Sequence, residues 1–137
     1  MLYIVATPIG NLDDLSLRQA KTITYCEILL AEDTRSAKKI IDAIKEKFGL
    51  TTINNKHIQS FYKENEFELT YKILKELEQN KNIAIISESG LPLISDPGGF
   101  LVNELIKKNI KFTVIPGPTA LTTALVHSGF NSKNLMF

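Results

Sequence analysis

IAIISESGLPLISDPGG, Ile83 to Gly99, opens as an apolar run and ends in a segment interrupted by two prolines and three glycines. Its first part, Ile83 to Ser87, has the character of a strand buried on both faces, as in a parallel sheet. The remainder departs from regular structure, because Gly90 is free to take a positive φ and Pro92 restricts Leu91 to extended conformations. Further on, Asp96 is expected to cap a helix with Pro97 at its first position. The helix itself is expected over Gly98 to Lys108, with Phe100, Leu101, Leu105 and Ile106 facing inward. Buried strand, long loop and amphipathic helix together make the repeating unit of an α/β domain.

The same alternation extends in both directions. Strands are expected at Leu2–Ala6, Glu27–Ala31, His57–Phe61 and Lys111–Ile115, and NLMF (Asn134 to Phe137) stands where a further strand would begin. Helical spacing runs through Ser16–Tyr25, with Ser16 as N-cap, and Thr34–Phe48, closed by Gly49. It appears again in Glu66–Gln79, ended by an Asn80–Asn82 turn, and in Thr119–Ser128. The expectation is one domain over residues 1–137, an α/β fold with a five-stranded, mostly parallel sheet flanked by helices. Right-handed crossovers return each strand to the same starting edge, so the loops leaving the strands gather at the opposite one. Ligands of such sheets bind at that edge, near the point where the strand order reverses.

Composition narrows the classes of function. The 137 residues are 44% hydrophobic and 23% charged, and 16 Lys+Arg against 15 Asp+Glu leave a net charge of +1. No large basic field advertises nucleic acid or an anionic membrane, although a neutral chain can still carry a locally basic face. Cys26 is the one cysteine, and His57 and His127 are too few and too scattered for a usual zinc site. The opening MLYIVATPIG lacks a basic n-region, and Pro8 ends its apolar run far short of a membrane span. A reducing, cytoplasmic setting without membrane attachment is the expectation.

The unusual residues all come directly after strands. TPIGN (Thr7 to Asn11), EDTR (Glu32 to Arg35), SESGLPLISDPGG (Ser87 to Gly99) and PGPTA (Pro116 to Ala120) fall on one edge, whereas the opposite edge has ordinary turns. Taken singly, each loop reads equally as a tight turn or as a rigid array of backbone N–H and C=O groups. Their shared edge favours a ligand cleft. Neither a P-loop nor a dinucleotide fingerprint occurs, so a nucleoside without phosphate suits these proline-stiffened loops better than a phosphate does. In EDTR, Asp33 or Thr34 reads as a helix cap and Glu32 as a favourable charge at the helix start. Arg35 is one of two arginines in a lysine-rich chain, and its planar fork makes it the candidate substrate contact, with a surface ion pair as the plain alternative. SFYKENE (Ser60 to Glu66) also lies on the ligand edge and is a substrate-side candidate.

LYIVATPIGNLDDLSLRQA, AEDTR, PLISDPG and PGPTAL, in this order and spacing, closely resemble the N-terminal domain of the ribosomal RNA small-subunit methyltransferases that modify a cytidine ribose 2′-hydroxyl. These enzymes belong to the tetrapyrrole methylase superfamily. The resemblance covers essentially the whole chain. It implies S-adenosyl-L-methionine as cofactor, small-subunit ribosomal RNA or the 30S subunit as partner, a homodimer at full length, and a second α/β domain that this chain does not contain. It further implies cofactor contacts at Ile9 and Gly10, at Ser89, Gly90, Leu91 and Ile94, and at Thr119 and Ala120. Asp33 aligns with an aspartate proposed as a proton acceptor in tetrapyrrole-acting relatives.

Methyl transfer from a sulfonium to a ribose hydroxyl is an in-line displacement that demands alignment, exclusion of water and a base near the hydroxyl. Asp33 is the nominee for that base and Glu32 its alternative. No metal is required. Two other readings share the fold: a methylase of a corrinoid or other tetrapyrrole, and a binding module without activity.

Overall fold

The computed structural model describes residues 1–52, 56–94, 96–131, 133 and 136. Five strands form a single sheet: β1 (Leu2–Val5), β2 (Ile28–Ala31), β3 (His57–Ser60), β4 (Ile83–Ile86) and β5 (Phe112–Ile115). Their order is β3-β2-β4-β1-β5, and every pairing is parallel. β1 and β4 lie side by side in register, Leu2 opposite Ile83 and Val5 opposite Ile86. The expected strand at Asn134 to Phe137 lies outside the described residues apart from Met136.

Among the described residues five α-helices alternate with the strands: α1 (Leu17–Tyr25), α2 (Thr34–Phe48), α3 (Glu66–Glu78), α4 (Gly99–Lys107) and α5 (Ala120–Ser128). Side chains alternate between the faces of a strand, so the sheet supports two cores. Ile83 and Ile85 face Leu69, Ile73, Leu74 and Leu77 of α3 and Leu101 and Leu105 of α4. Ala84 and Ile86 face the other way, toward Ala20 and Ile23 of α1 and Ala37, Ile40 and Ile44 of α2. β2 and β4 are buried at all four positions, which explains their unbroken apolar sequences.

The helix ends obey local chemistry. Ser16 and Gln19 form a reciprocal capping box at α1, with Gln19 N–H donating to Ser16 Oγ at 3.2 Å and Ser16 N–H donating to Gln19 Oε1 at 2.6 Å. Asp33 caps α2, Gly49 closes it at φ 65°, and Asn80 turns the chain after α3 at φ 63°. Cys26 is fully buried, and burial pushes its thiol up to about 12.

The expectation for α4 needs correcting. Asp96 and Pro97 do not start this helix, which begins at Gly99 behind Gly98, a residue with no side chain to cap it. The loop remains irregular for longer because Leu93 (φ 74°) and Gly98 (φ 122°) both take left-handed backbone, which separates Asp96 from the first turn. The inward face is also narrower than the spacing suggests. Ile106 is 59% exposed, and Phe100 stacks on Phe67 at 4.9 Å between ring centroids instead of entering the core.

Candidate functional site

From β1 the chain passes through α1 to β2, beyond β4, whereas from β4 it passes through α4 to β5, beyond β1. The neighbouring strands β1 and β4 therefore send their loops in opposite directions, and a crevice opens between them. Backbone closes its floor: Thr7 N–H donates to the Gly90 carbonyl at 2.8 Å and Gly90 N–H donates to the Thr7 carbonyl at 3.1 Å. The Gly90 carbonyl also accepts from Thr7 Oγ1 at 3.4 Å and from Ser87 Oγ at 3.1 Å. Both hydroxyls are buried, so these bonds are shielded from competing water.

Over this floor lies a cleft of about 250 Å³. Ser89, Gly90, Leu91 and Ile94 form one wall, Thr119, Ala120 and Leu121 the other, and Asp96 borders it. Six residues that the family resemblance implies as cofactor contacts are thus brought together by two segments far apart in the chain. Ile9 stands behind Gly90, its Cγ2 3.4 Å from where a Cβ would be at that glycine. Gly10 is exposed at φ 135° and does not line the cleft. Gly90 itself is buried and has φ 83°, a conformation that L side chains rarely adopt, and a Cβ there would point toward Ile9 and the Pro118 carbonyl.

Asp33 and Arg35 lie one loop away and do not line this cleft. Asp33 Oδ1 accepts from the Arg35 backbone N–H at 2.7 Å, while the Arg35 guanidinium donates to the same carboxylate through Nε at 3.2 and 3.1 Å and through Nη2 at 2.9 Å. These hydrogen bonds hold the Asp33 carboxyl below the usual aspartate range. The rest of the guanidinium faces solvent, with the side chain 88% exposed.

The family description "Tetrapyrrole (Corrin/Porphyrin) Methylases" matches residues 1–134. The chain belongs to the tetrapyrrole methylases. Among relatives of this chain, the protein of Thermotoga maritima named ribosomal RNA small subunit methyltransferase I is 39% identical over 136 residues, 99% of this chain and 58% of that protein. The protein of the same name from Mesomycoplasma conjunctivae is 41% identical, over 96% of this chain and 52% of its own length. The chain thus spans about half the length of these curated relatives. A solved uroporphyrin-III-C-methyltransferase from Thermus thermophilus superposes with a TM-score of 0.63 at 17% identity, covering 97% of this chain and 53% of that one, a likeness of fold.

A second cleft, about 520 Å³, adjoins the first at Asp96 and is bordered by Glu32, Tyr62, Lys63, Glu64, Glu66 and Pro97. Most of SFYKENE therefore borders an opening next to the candidate cofactor cleft, and Glu32, rather than Asp33, faces it. Burial first and the Glu88 carboxylate second push the Asp96 carboxyl above the usual aspartate range. Sequence reasoning misses Asp96 and Leu121 as cleft residues. A capping motif accounts for Asp96 in the sequence, and Leu121 has only helical periodicity to mark it. No helix among the described residues is long and apolar enough to cross a membrane.

Proposed function

We propose that this chain is the S-adenosylmethionine-binding domain of a ribosomal RNA small-subunit 2′-O-methyltransferase. The observation that carries the reading is the meeting of Ser89, Gly90, Leu91, Ile94, Thr119 and Ala120 in one cleft at the switch point of the sheet. Leu91, Ile94, Ala120 and Leu121 offer apolar cover for a flat nucleoside. Ile9 supports that wall from the β1 loop, next to the exposed Gly10. Similarity to proteins named for ribosomal RNA favours RNA over a tetrapyrrole as the acceptor.

When bound, the cofactor supplies a methyl group on a positively charged sulfur. The residues of this chain must orient it, exclude water and manage the proton of the ribose hydroxyl. Arg35 suits an RNA phosphate, since its fork can donate two parallel hydrogen bonds. On this reading the Arg35 guanidinium leaves Asp33 for that phosphate, which removes the largest of the interactions depressing the carboxylate and makes it a better proton acceptor. Small-subunit ribosomal RNA or the 30S subunit is the partner, in the cytoplasm. A second domain, belonging to the other half of the relatives' length, covers the cleft and α5 in a homodimer. The exposure of α5 supports this: none of its residues is buried, and Val126 is 82% exposed.

Calorimetric titration of this chain with S-adenosylmethionine tests the cofactor assignment, with saturable 1:1 binding expected. Absence of binding both to this chain and to a form carrying the second domain rejects it. With that second domain present, label transferred to 30S subunits or free small-subunit rRNA is expected, and label found only in an offered tetrapyrrole overturns the substrate.

A further inference from the structure

The loop between β4 and α4 is held at three places. Its start is fixed by the Thr7–Gly90 backbone pair. Its middle is fixed by Leu93, which packs against the α3/α4 core and whose Cδ2 lies 2.1 Å from where Gly98 would carry a Cβ, so the leucine fills the space the glycine leaves. Its end is fixed from outside. Glu66, the first residue of α3, sends its carboxylate across to α4, where Oε1 accepts from Gly98 N–H at 2.8 Å and from Phe100 N–H at 3.0 Å.

The first N–H groups of a helix have no partners within it, and a buried donor left unpaired is costly. α4 has no side-chain cap of its own, since the residue at its cap position is Gly98. A carboxylate at a helix N-terminus is also favoured by the helix dipole. Glu66 therefore does for α4 what a local serine or aspartate does elsewhere, but from a different helix. Between the anchored ends lies Leu91–Ile94, the arc whose Leu91 and Ile94 wall the 250 Å³ cleft.

We infer that Glu66 is a positioning residue for the cofactor loop: by holding the α4 N-terminus it keeps Leu91–Ile94 in the shape that binds the ligand. The inference rests on the cofactor reading above and adds to it a residue that does not line the cofactor cleft. It also assigns a task to SFYKENE. Within that segment Asn65 secures its own turn, accepting from Tyr62 N–H at 2.8 Å and donating to the Ser60 carbonyl at 3.1 Å, while Glu66 reaches outward.

Glu66→Ala, Glu66→Gln and Glu66→Asp separate positioning from general stability. In Glu66→Ala the exchange of the Gly90, Gly98 and Phe100 amides, measured without ligand, is expected to rise about tenfold and the S-adenosylmethionine affinity to fall about tenfold. Glu66→Gln keeps an acceptor oxygen in place and is expected to restore both to within about threefold. Glu66→Asp is one methylene too short to reach both amides, and supplies the deficient variant if the alanine form does not fold. Unchanged exchange at Gly90, Gly98 and Phe100 in the deficient variant overturns the inference, as does a glutamine variant as impaired as that one. If the wild-type chain binds no S-adenosylmethionine, the cofactor reading fails there, while the exchange measurement still decides the role of Glu66.

Discussion

Thr7 and Gly90, separated by 83 positions in the chain, exchange both of their backbone hydrogen bonds, at 2.8 and 3.1 Å. This pair closes the crevice between β1 and β4 and fixes the start of the loop that walls the cleft. Because Gly90 holds φ 83°, the pairing depends on a residue without a Cβ.

Gly90→Val tests that relationship. A Cβ there would sit 3.4 Å from Ile9 Cγ2 and 3.6 Å from the Pro118 carbonyl oxygen, in a backbone conformation that a β-branched residue strongly disfavours. The variant is expected to remain folded, at a cost of about 1–3 kcal/mol in urea unfolding, and to lose measurable S-adenosylmethionine binding by calorimetry. Wild-type affinity in a folded variant would remove this loop from the site.

Gly117 joins the β5 loop to the capping box of α1. A Cβ at this position would lie 2.1 Å from Gln19 Nε2 and 2.8 Å from the Ala6 methyl, and the same Nε2 donates to the Pro116 carbonyl at 3.3 Å. Gly117→Ala should therefore destabilise the fold by about 1–3 kcal/mol through overpacking. Combined with Gln19→Ala, which removes the nearer obstacle, the two losses should sum to more than the double variant shows. Simple additivity in chemical denaturation would mean that the glycine is not required by Gln19.

The Asp33–Arg35 pair makes a prediction in pH. The folded-state carboxyl is depressed by the Arg35 hydrogen bonds, so its contribution to stability is present above the unfolded aspartate pKa and is lost as pH falls through the lower, folded value. NMR titration should place the Asp33 midpoint below those of ordinary aspartates, and Arg35→Ala should return it toward them. An unshifted midpoint in the wild-type chain would dissolve the pair. RNA binding that leaves the midpoint in place would separate Arg35 from the proposed phosphate contact.

Short-range features are legible in the chain itself. The alternation of strands and helices, the caps at Ser16 and Asp33 and the left-handed stop at Gly49 depend on residues within about one turn of each other, and local chemistry decides them. So do the proline- and glycine-bearing loops, whose order along the sequence carries the family resemblance. Asp96 escapes such a reading for the same reason. SDPGG looks like a cap locally, while the loop is held by Leu93 against Gly98 and by Glu66 from α3.

The amino-acid sequence alone determined an α/β chain with its irregular loops on one edge. Tertiary structure decided which of those loops meet. Strand order places β1 between β4 and β5, bringing Ser89–Ile94 opposite Thr119 and Ala120 and leaving Asp33 and Arg35 one loop away. Periodicity and capping report a residue's immediate neighbours along the chain. The bonds that shape the cleft, Thr7 to Gly90 and Glu66 to Gly98, join residues 83 and 32 positions apart and exist only once the sheet has ordered its strands.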